Sequence, residues 1–252
     1  MSVHFKIITP VYNSESYIRN TLISVLGQDY DNFEYIITDD CSTDNTVNVI
    51  KEFIEEYDCG DYFTLIENDE NMGALYNLYH MIQNLDAFDD DVIVTLDGDD
   101  WLASEYVLSI LDHVYEHEDC WMTYGSYVQH PSGRDSSFHV TEYPKNIVED
   151  GTFRDDPAWR ASHLRTFNYN LAKRLTEDDM VDDDGTFYEM AWDFALMFPM
   201  MEMARERVRF IKDTLYVYND DNPINDHKKD RQRQIDIGDR IRKKNNRRER
   251  LV

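Results

Sequence analysis

Residues 97 to 100 read Asp-Gly-Asp-Asp, three carboxylates within four positions, directly after the apolar run Val92-Ile93-Val94-Thr95-Leu96. The run is β-branched and of strand length, and Gly98 breaks it. Like charges this close repel and raise one another's pKa. The cheapest way to keep them ionised at the end of a buried strand is a divalent metal with oxygen ligands. The carboxyl end of a strand is also where open α/β sheets bind ligands. An acidic turn without a ligand is the alternative, since Asp and Gly suit turn geometry on their own.

A site of this kind needs a sheet to hold it. Phe5 to Thr9 reads as a first strand stopped by Pro10. A helix over about Tyr17 to Leu26 follows, with Ile18, Leu22 and Val25 on one face and Ser14 and Ser16 as candidate caps. Phe33 to Thr38 is a second strand ending at Asp39-Asp40. The next helix is capped by Ser42-Thr43-Asp44 and faced by Val47, Ile50 and Ile54. Tyr62 to Ile66, a helix from Gly73 to Leu85, the strand Val92 to Leu96 and a helix from Ser104 to His117 continue the alternation. It predicts an α/β fold with a mostly parallel sheet covered by helices. Beyond it, Trp121 to Val128 reads as a strand and Pro131 to Gly151 as loop with short strands. Pro157 to Leu175 and Tyr188 to Arg205 read as helices, and Val208 to Ile211 and Leu215 to Tyr218 as short strands.

At 252 residues and 42% hydrophobic content the chain has enough material for a core. A net charge of −26 excludes electrostatic binding of nucleic acid by the main body. Cys41, Cys59 and Cys120 have no Cys-x-x-Cys spacing, which argues against a zinc site or disulfide framework and for a reducing compartment. No basic leader with a long apolar stretch opens the chain and no segment reaches the roughly 20 apolar residues of a bilayer span, so a soluble cytoplasmic protein is expected. Residues 228–252 carry eleven Lys or Arg against four Asp or Glu, a net of +7 that leaves −33 on residues 1–227. This tail reads as a marginal helix that docks on the acidic body or frays, with peripheral contact to a membrane surface or polyanion as the alternative.

Five segments in order, Thr9-Pro10-Val11-Tyr12-Asn13, Ser24 to Tyr30, Thr38 to Asp44, Asn71-Met72-Gly73 and Asp97-Gly98-Asp99-Asp100, resemble the signatures of the family 2 glycosyltransferases, which have the GT-A fold. The resemblance covers residues 3 to 125 well and the remainder at scattered points. It implies a single GT-A domain over residues 1–227, with a nucleotide-sugar half to about residue 125, an acceptor half after it, and the basic tail beyond. It further implies a nucleotide-diphosphate-sugar donor, Mn2+ or Mg2+, and transfer to a hydroxyl acceptor such as a growing glycan with inversion.

Carried onto this chain, the motifs imply that Pro10, Val11, Tyr12, Asn71, Gly73 and Gly98 shape the donor site, with Tyr12 stacking on the base. Asp39 would accept from the uracil ring N–H, favouring UDP-sugars, Asp97 would approach the ribose, and Asp99 would ligate the metal. Each has a plainer reading too: Tyr12 as a core residue, Asp39 as a helix cap. Cys41 stands where the family has Gly, and the usual basic residue after Asn71-x-Gly73 is missing. The donor diphosphate must therefore be met elsewhere, with Arg160, His163 and Arg165 as candidates and a solvated face as the alternative. Ala191 to Leu196 resembles the element that carries the family's base, making Asp193 the candidate. Asp182, Asp183 and Asp184 are rivals. The segment Tyr218 to His227 resembles a late loop in which His227 would complete the metal shell. Two other classes stay open: a sugar nucleotidyltransferase, which should carry a Gly-rich phosphate loop near its first strand, and a non-catalytic binding module.

Overall fold

The computed structural model describes residues 2–136 and 140–251, with the side chains of all but Asp226 and His227. In chain order the elements are β1 (Phe5–Val11), α1 (Ile18–Leu26), β2 (Phe33–Asp39), α2 (Thr46–Tyr57), β3 (Phe63–Glu67), α3 (Ala74–Asn84), β4 (Val92–Thr95), β5 (Trp101–Leu102) and α4 (Val107–His117). The second half adds β6 (Met122–His130), α5 (Lys145–Asp150), β7 (Arg165–Asn168), α6 (Tyr169–Ala172), α7 (Glu177–Met180), α8 (Trp192–Ala204), β8 (Val208–Asn219), α9 (Asp226–Lys229) and α10 (Arg231–Lys243).

One eight-stranded sheet runs β3-β2-β1-β4-β7-β6-β8-β5. The pairs β1–β2, β1–β4, β2–β3 and β6–β8 are parallel, and β7 joins the two halves by antiparallel pairing with β4 and β6. Alternation along each strand feeds two cores. Phe5, Ile7, Val92 and Val94 pack with α1, α2 and α4, while Ile8 and Ile93 pack with α3, α6 and α8. The expected α/β class and mostly parallel sheet are therefore present.

Several local readings change. Pro10 does not stop β1, which runs to Val11; pairing with β4 has already ended at Ile8, so the missing N–H interrupts nothing on that side. The stretch 157–175 is not one helix: it is irregular to residue 164 and then forms β7 at the centre of the sheet, where strand pairing on both flanks outweighs local helix propensity. Lys145–Asp150 is a short helix rather than loop, and the two short strands after residue 208 are one, β8, with irregular pairing to β6 near Ser126.

The tail docks. Ile237, Gly238 and Ile241 of α10 are buried against the core that α8 dominates. Its cations pair with body carboxylates: Arg233 with Glu189, Arg240 with Asp182, Arg247 with Asp155, Arg248 with Asp179 and Arg250 with Glu206. Within the body, Arg154 donates to both oxygens of Glu202, at 2.7 and 3.2 Å, and both side chains are buried. Arg154 also donates to Ile241 O and Asn246 Oδ1, and the Arg248 N–H donates to Glu202 Oε2. Among the described residues no helix is long and apolar enough to cross a membrane.

Candidate functional site

The carboxyl ends of β1, β2 and β4 meet at one edge, and the loops leaving them are cross-linked. Asn13 accepts from the Thr43 N–H and its own N–H donates to Ser42 Oγ, which ties the loop after β1 to the loop after β2. Asp40, nearly fully buried, accepts from the N–H groups of Met72 and Gly73, both at 2.8 Å, and from Asn68 Nδ2. It thereby sets the position of the Asn71-Met72-Gly73 turn, whose Gly73 has φ +89°. The Asp-Asp doublet at the strand end was the available signal for this role. Cys41 has φ +61°, a left-handed conformation, which explains why glycine is the usual residue at this turn.

Gly98 permits the acidic turn to lie against β1: a Cβ there would sit 2.8 Å from Val11 Cγ2 and 3.3 Å from Pro10 O. The three carboxylates that follow β4 have different partners. Asp100 is buried and accepts from Tyr216 Oη at 2.6 Å and from the Asn219 N–H at 2.7 Å, so it fastens β8 to the turn. Burial, then the charges of Asp99 and Asp97, push its carboxyl well above the usual range. Asp99 accepts from Asn222 Nδ2 at 2.7 Å, and burial raises it too. Asp97 lies half-buried beside them.

Asp97, Asp100 and His163 bring ligand atoms within 4.8 Å of one another. The two carboxylates suit an oxygen-preferring divalent cation such as Mn2+ or Mg2+, which would offset the charge repulsion just described. His163 is buried and stacks on Tyr216 with ring centroids 4.4 Å apart. Burial, then the neighbouring Arg165 charge, hold it well below its ordinary pKa, so it is neutral. Arg165 donates to its Nε2 at 3.3 Å, which places the ring proton on Nδ1; His163 can ligate only if Arg165 turns away, so the carboxylates carry the fit. Asp99 stands outside this group, and the side chain of His227 lies outside the described residues.

Asp193 sits in the first turn of α8, behind Ala191 in a left-handed N-cap conformation at φ +51°. Burial raises its carboxyl above the usual range, opposed chiefly by Arg165, which donates to Oδ2 at 3.3 Å. Arg165 also donates to Ala161 O and lies 5.3 Å from the Trp192 ring centroid.

These groups share one cleft of about 530 Å³, lined among others by Pro10, Tyr12, Asn71, Gly73, Asp97, Gly98, Asp99, Asp100, His163, Arg165, Trp192 and Asp193. Val11 and Asp39 lie behind this lining, both buried. Asp39 Oδ2 accepts from the Ser42 N–H at 2.9 Å, as a helix cap would, but its buried Oδ1 has no partner among the described residues. Arg160 is outside the cleft and bonds Asp156 at 2.8 Å. Asp182, which pairs with Arg240, and Asp183 and Asp184 also lie outside it. Sequence reasoning missed Tyr216 and gave Tyr218 and Asn222 only as part of the loop that ends at His227, since nothing local marks a β8 tyrosine as a partner for a carboxylate 116 positions earlier.

The profile of the family described as Glycosyl transferase family 2 matches residues 6–188. Glycosyltransferase GlyA of Streptococcus pneumoniae is 31% identical over 112 residues, covering 44% of this chain and 15% of that protein. A protein of Haemophilus influenzae named as an uncharacterized glycosyltransferase is 32% identical over 121 residues, covering 48% of this chain and 46% of its own. The chain thus spans less than half the length of either relative. Among solved structures, S. aureus TarS 1–349 in complex with UDP-GlcNAc superposes with TM-score 0.64 at 18% identity, over 90% of this chain and 61% of that one. Mannosyltransferase PcManGT from Pyrobaculum calidifontis in complex with GDP-Man and Mn2+ gives 0.58 at 19%, over 86% and 57%. At such identities the likeness is one of fold.

Proposed function

Since the chain belongs to the family 2 glycosyltransferases, we propose that its cleft transfers a sugar from a nucleotide-diphosphate donor, a UDP-sugar, to a hydroxyl acceptor such as a growing glycan, with inversion and with a bound divalent metal. The observation that carries this is that the β4-end carboxylates and Asp193 line one cleft.

In this reading residues 1 to about 125 hold the donor and 126–227 the acceptor. Tyr12, which is 39% exposed at the cleft, offers its ring to the base. The unpartnered Oδ1 of Asp39 accepts the uracil ring N–H. Asn71, Gly73 and Gly98 keep the backbone close to the nucleotide, and Asp97 takes the ribose. Asp99, with Asp97 and Asp100 beside it and His227 as a further ligand, would hold Mn2+ or Mg2+, which would supply positive charge to the diphosphate.

Asp193 removes the proton of the acceptor hydroxyl as its oxygen bonds to the anomeric carbon from the face opposite the diphosphate. The bond from that carbon to the phosphate oxygen breaks, and its electron pair leaves with the nucleoside diphosphate. Burial raises the basicity of Asp193, and the charge of Arg165 offsets part of that rise. The UDP-GlcNAc complex of TarS supports the choice of a UDP donor for the first assay.

The test is release of UDP from a panel of UDP-sugars with simple glycan acceptors, with Mn2+ and with chelator, and determination of the product's anomeric configuration by NMR. Inversion and loss of turnover in chelator are expected, with Asp99→Ala losing metal-dependent donor binding while remaining folded. A retained configuration, or turnover indifferent to chelator, overturns the corresponding part.

A further inference from the structure

The cleft is poor in positive charge for a site that would take a diphosphate. Six carboxylates line it, Asp40, Asp97, Asp99, Asp100, Glu189 and Asp193. Against them stand His163, whose Nε2 accepts from Arg165, and Arg165 and Lys229. Arg165 is occupied inside the protein, by Ala161 O, His163 Nε2 and Asp193 Oδ2. Asp40 and Glu189 have their own partners, in two backbone amides and Arg233.

Lys229 differs from the other basic residues of its segment. It is exposed, it lines the cleft from α9, and its side chain makes no hydrogen bond or ion pair among the described residues. Its neighbour Lys228 is tied down instead, to the carbonyls of Asp220 and Asn222 and to Asp220 Oδ1 at 3.6 Å. The loop from Asn219 to Lys229 is fastened at several points to the carboxylate turn and to itself. The Asn219 N–H donates to Asp100, Asn222 donates to Asp99, and Asn225 Nδ2 donates to Asn219 O at 2.9 Å. The carboxylates proposed to hold the metal therefore also hold the segment that carries this ammonium. This wall lies beyond residue 188, where the family match ends.

We propose that Lys229 binds phosphate oxygens of the nucleoside diphosphate, supplying the cation whose usual position after Asn71-x-Gly73 is vacant in this sequence. The inference rests on the donor reading of the cleft. An ammonium on a fastened loop suits this role because a compact charge with three donors reaches either phosphate, and a cleft of carboxylates would otherwise repel the diphosphate. A base or a ribose carries no charge for it to meet.

Calorimetric titration of the whole chain in Mn2+ tests this, with UDP and GDP as probes and uridine and guanosine as their phosphate-free controls. Using both bases keeps base preference from deciding the result. Loss of one charge-assisted hydrogen bond predicts roughly tenfold weaker diphosphate binding in Lys229→Gln, more in Lys229→Glu, and near wild-type binding in Lys229→Arg. Nucleoside binding and the thermal unfolding midpoint stay unchanged. Equal UDP and GDP affinities in wild type and Lys229→Gln overturn the inference while leaving the donor reading intact. Nucleosides weakening in step with the diphosphates overturn it too, because the side chain would then act on the loop. A wild-type chain that binds neither diphosphate more tightly than its nucleoside overturns the donor reading and the inference together.

Discussion

Arg165 Nη2 lies 3.3 Å from Oδ2 of Asp193, a contact between the edge of a central strand and the first turn of a helix 28 positions later. The pair sets two opposing influences on one carboxyl. Burial favours its neutral form and the guanidinium favours its charge, with burial the larger. A proton acceptor held in this balance is more basic than a surface aspartate, and the guanidinium offsets part of that rise.

Asp193→Asn keeps the shape and removes the base. Turnover is expected to fall by roughly 10²-fold or more with UDP affinity near wild type. Steady-state kinetics beside calorimetry check this; loss of both together would assign Asp193 a structural role.

The pH dependence follows from the sign of the shift. A base works only when deprotonated, so with a raised carboxyl the rate falls, as pH is lowered, at a higher pH than for an ordinary aspartate. Removing the guanidinium in Arg165→Met takes away the influence that lowers this pKa, so the acid limb of kcat moves up further. An acid limb that stays in place would separate the two residues.

Asp39 governs which base is read. A buried acceptor with one unpartnered oxygen gains from a ring N–H, which uracil offers and cytosine does not. UDP is expected to bind about 10- to 100-fold more tightly than CDP, the worth of a hydrogen bond to a charged group. Competition titration in Mn2+ checks it, and an Asp39→Ala chain that keeps the preference would leave Asp39 as a cap for Ser42 alone.

Gly98→Ala forces a methyl to within 3 Å of Val11. Backbone must shift, at a cost of about 1–3 kcal/mol, and because the shift displaces Asp97 and Asp99 the metal-dependent affinity for UDP falls as well. Urea unfolding and calorimetry measure both; an unchanged midpoint would mean the turn relaxes freely.

The Arg154–Glu202 pair supports the fold under α8 and the tail. Arg154→Met leaves a buried carboxylate with one backbone partner, from Arg248, and should cost about 3–5 kcal/mol in urea unfolding. Replacing both residues by Met should recover most of that loss. A double variant as unstable as the single one would show that the hydrogen bonds to Ile241 and Asn246, and not the charge balance, carry the stability.

Apart from the two-residue β5, the alternating pattern up to β6 was legible in the sequence because its elements are specified by their own periodicity: Ile18, Leu22 and Val25 on one helix face, Val92 to Thr95 as an apolar strand. The Asp97 to Asp100 cluster was legible for a similar reason, since covalent spacing alone packs its charges. What tertiary structure decided was the identity of partners. Arg165–Asn168 is a strand only because β4 and β6 flank it, and its four residues carry no signal that outweighs a helical reading. Asp100 meets Tyr216, and Asp193 meets Arg165, across separations that no local pattern encodes. The charge of the tail was plain in composition, but its pairing with Asp155, Asp179, Asp182 and Glu206 depends on which carboxylates folding brings under α10 and the residues after it. Periodicity is a property of neighbours along the chain, whereas a site is a property of neighbours in space.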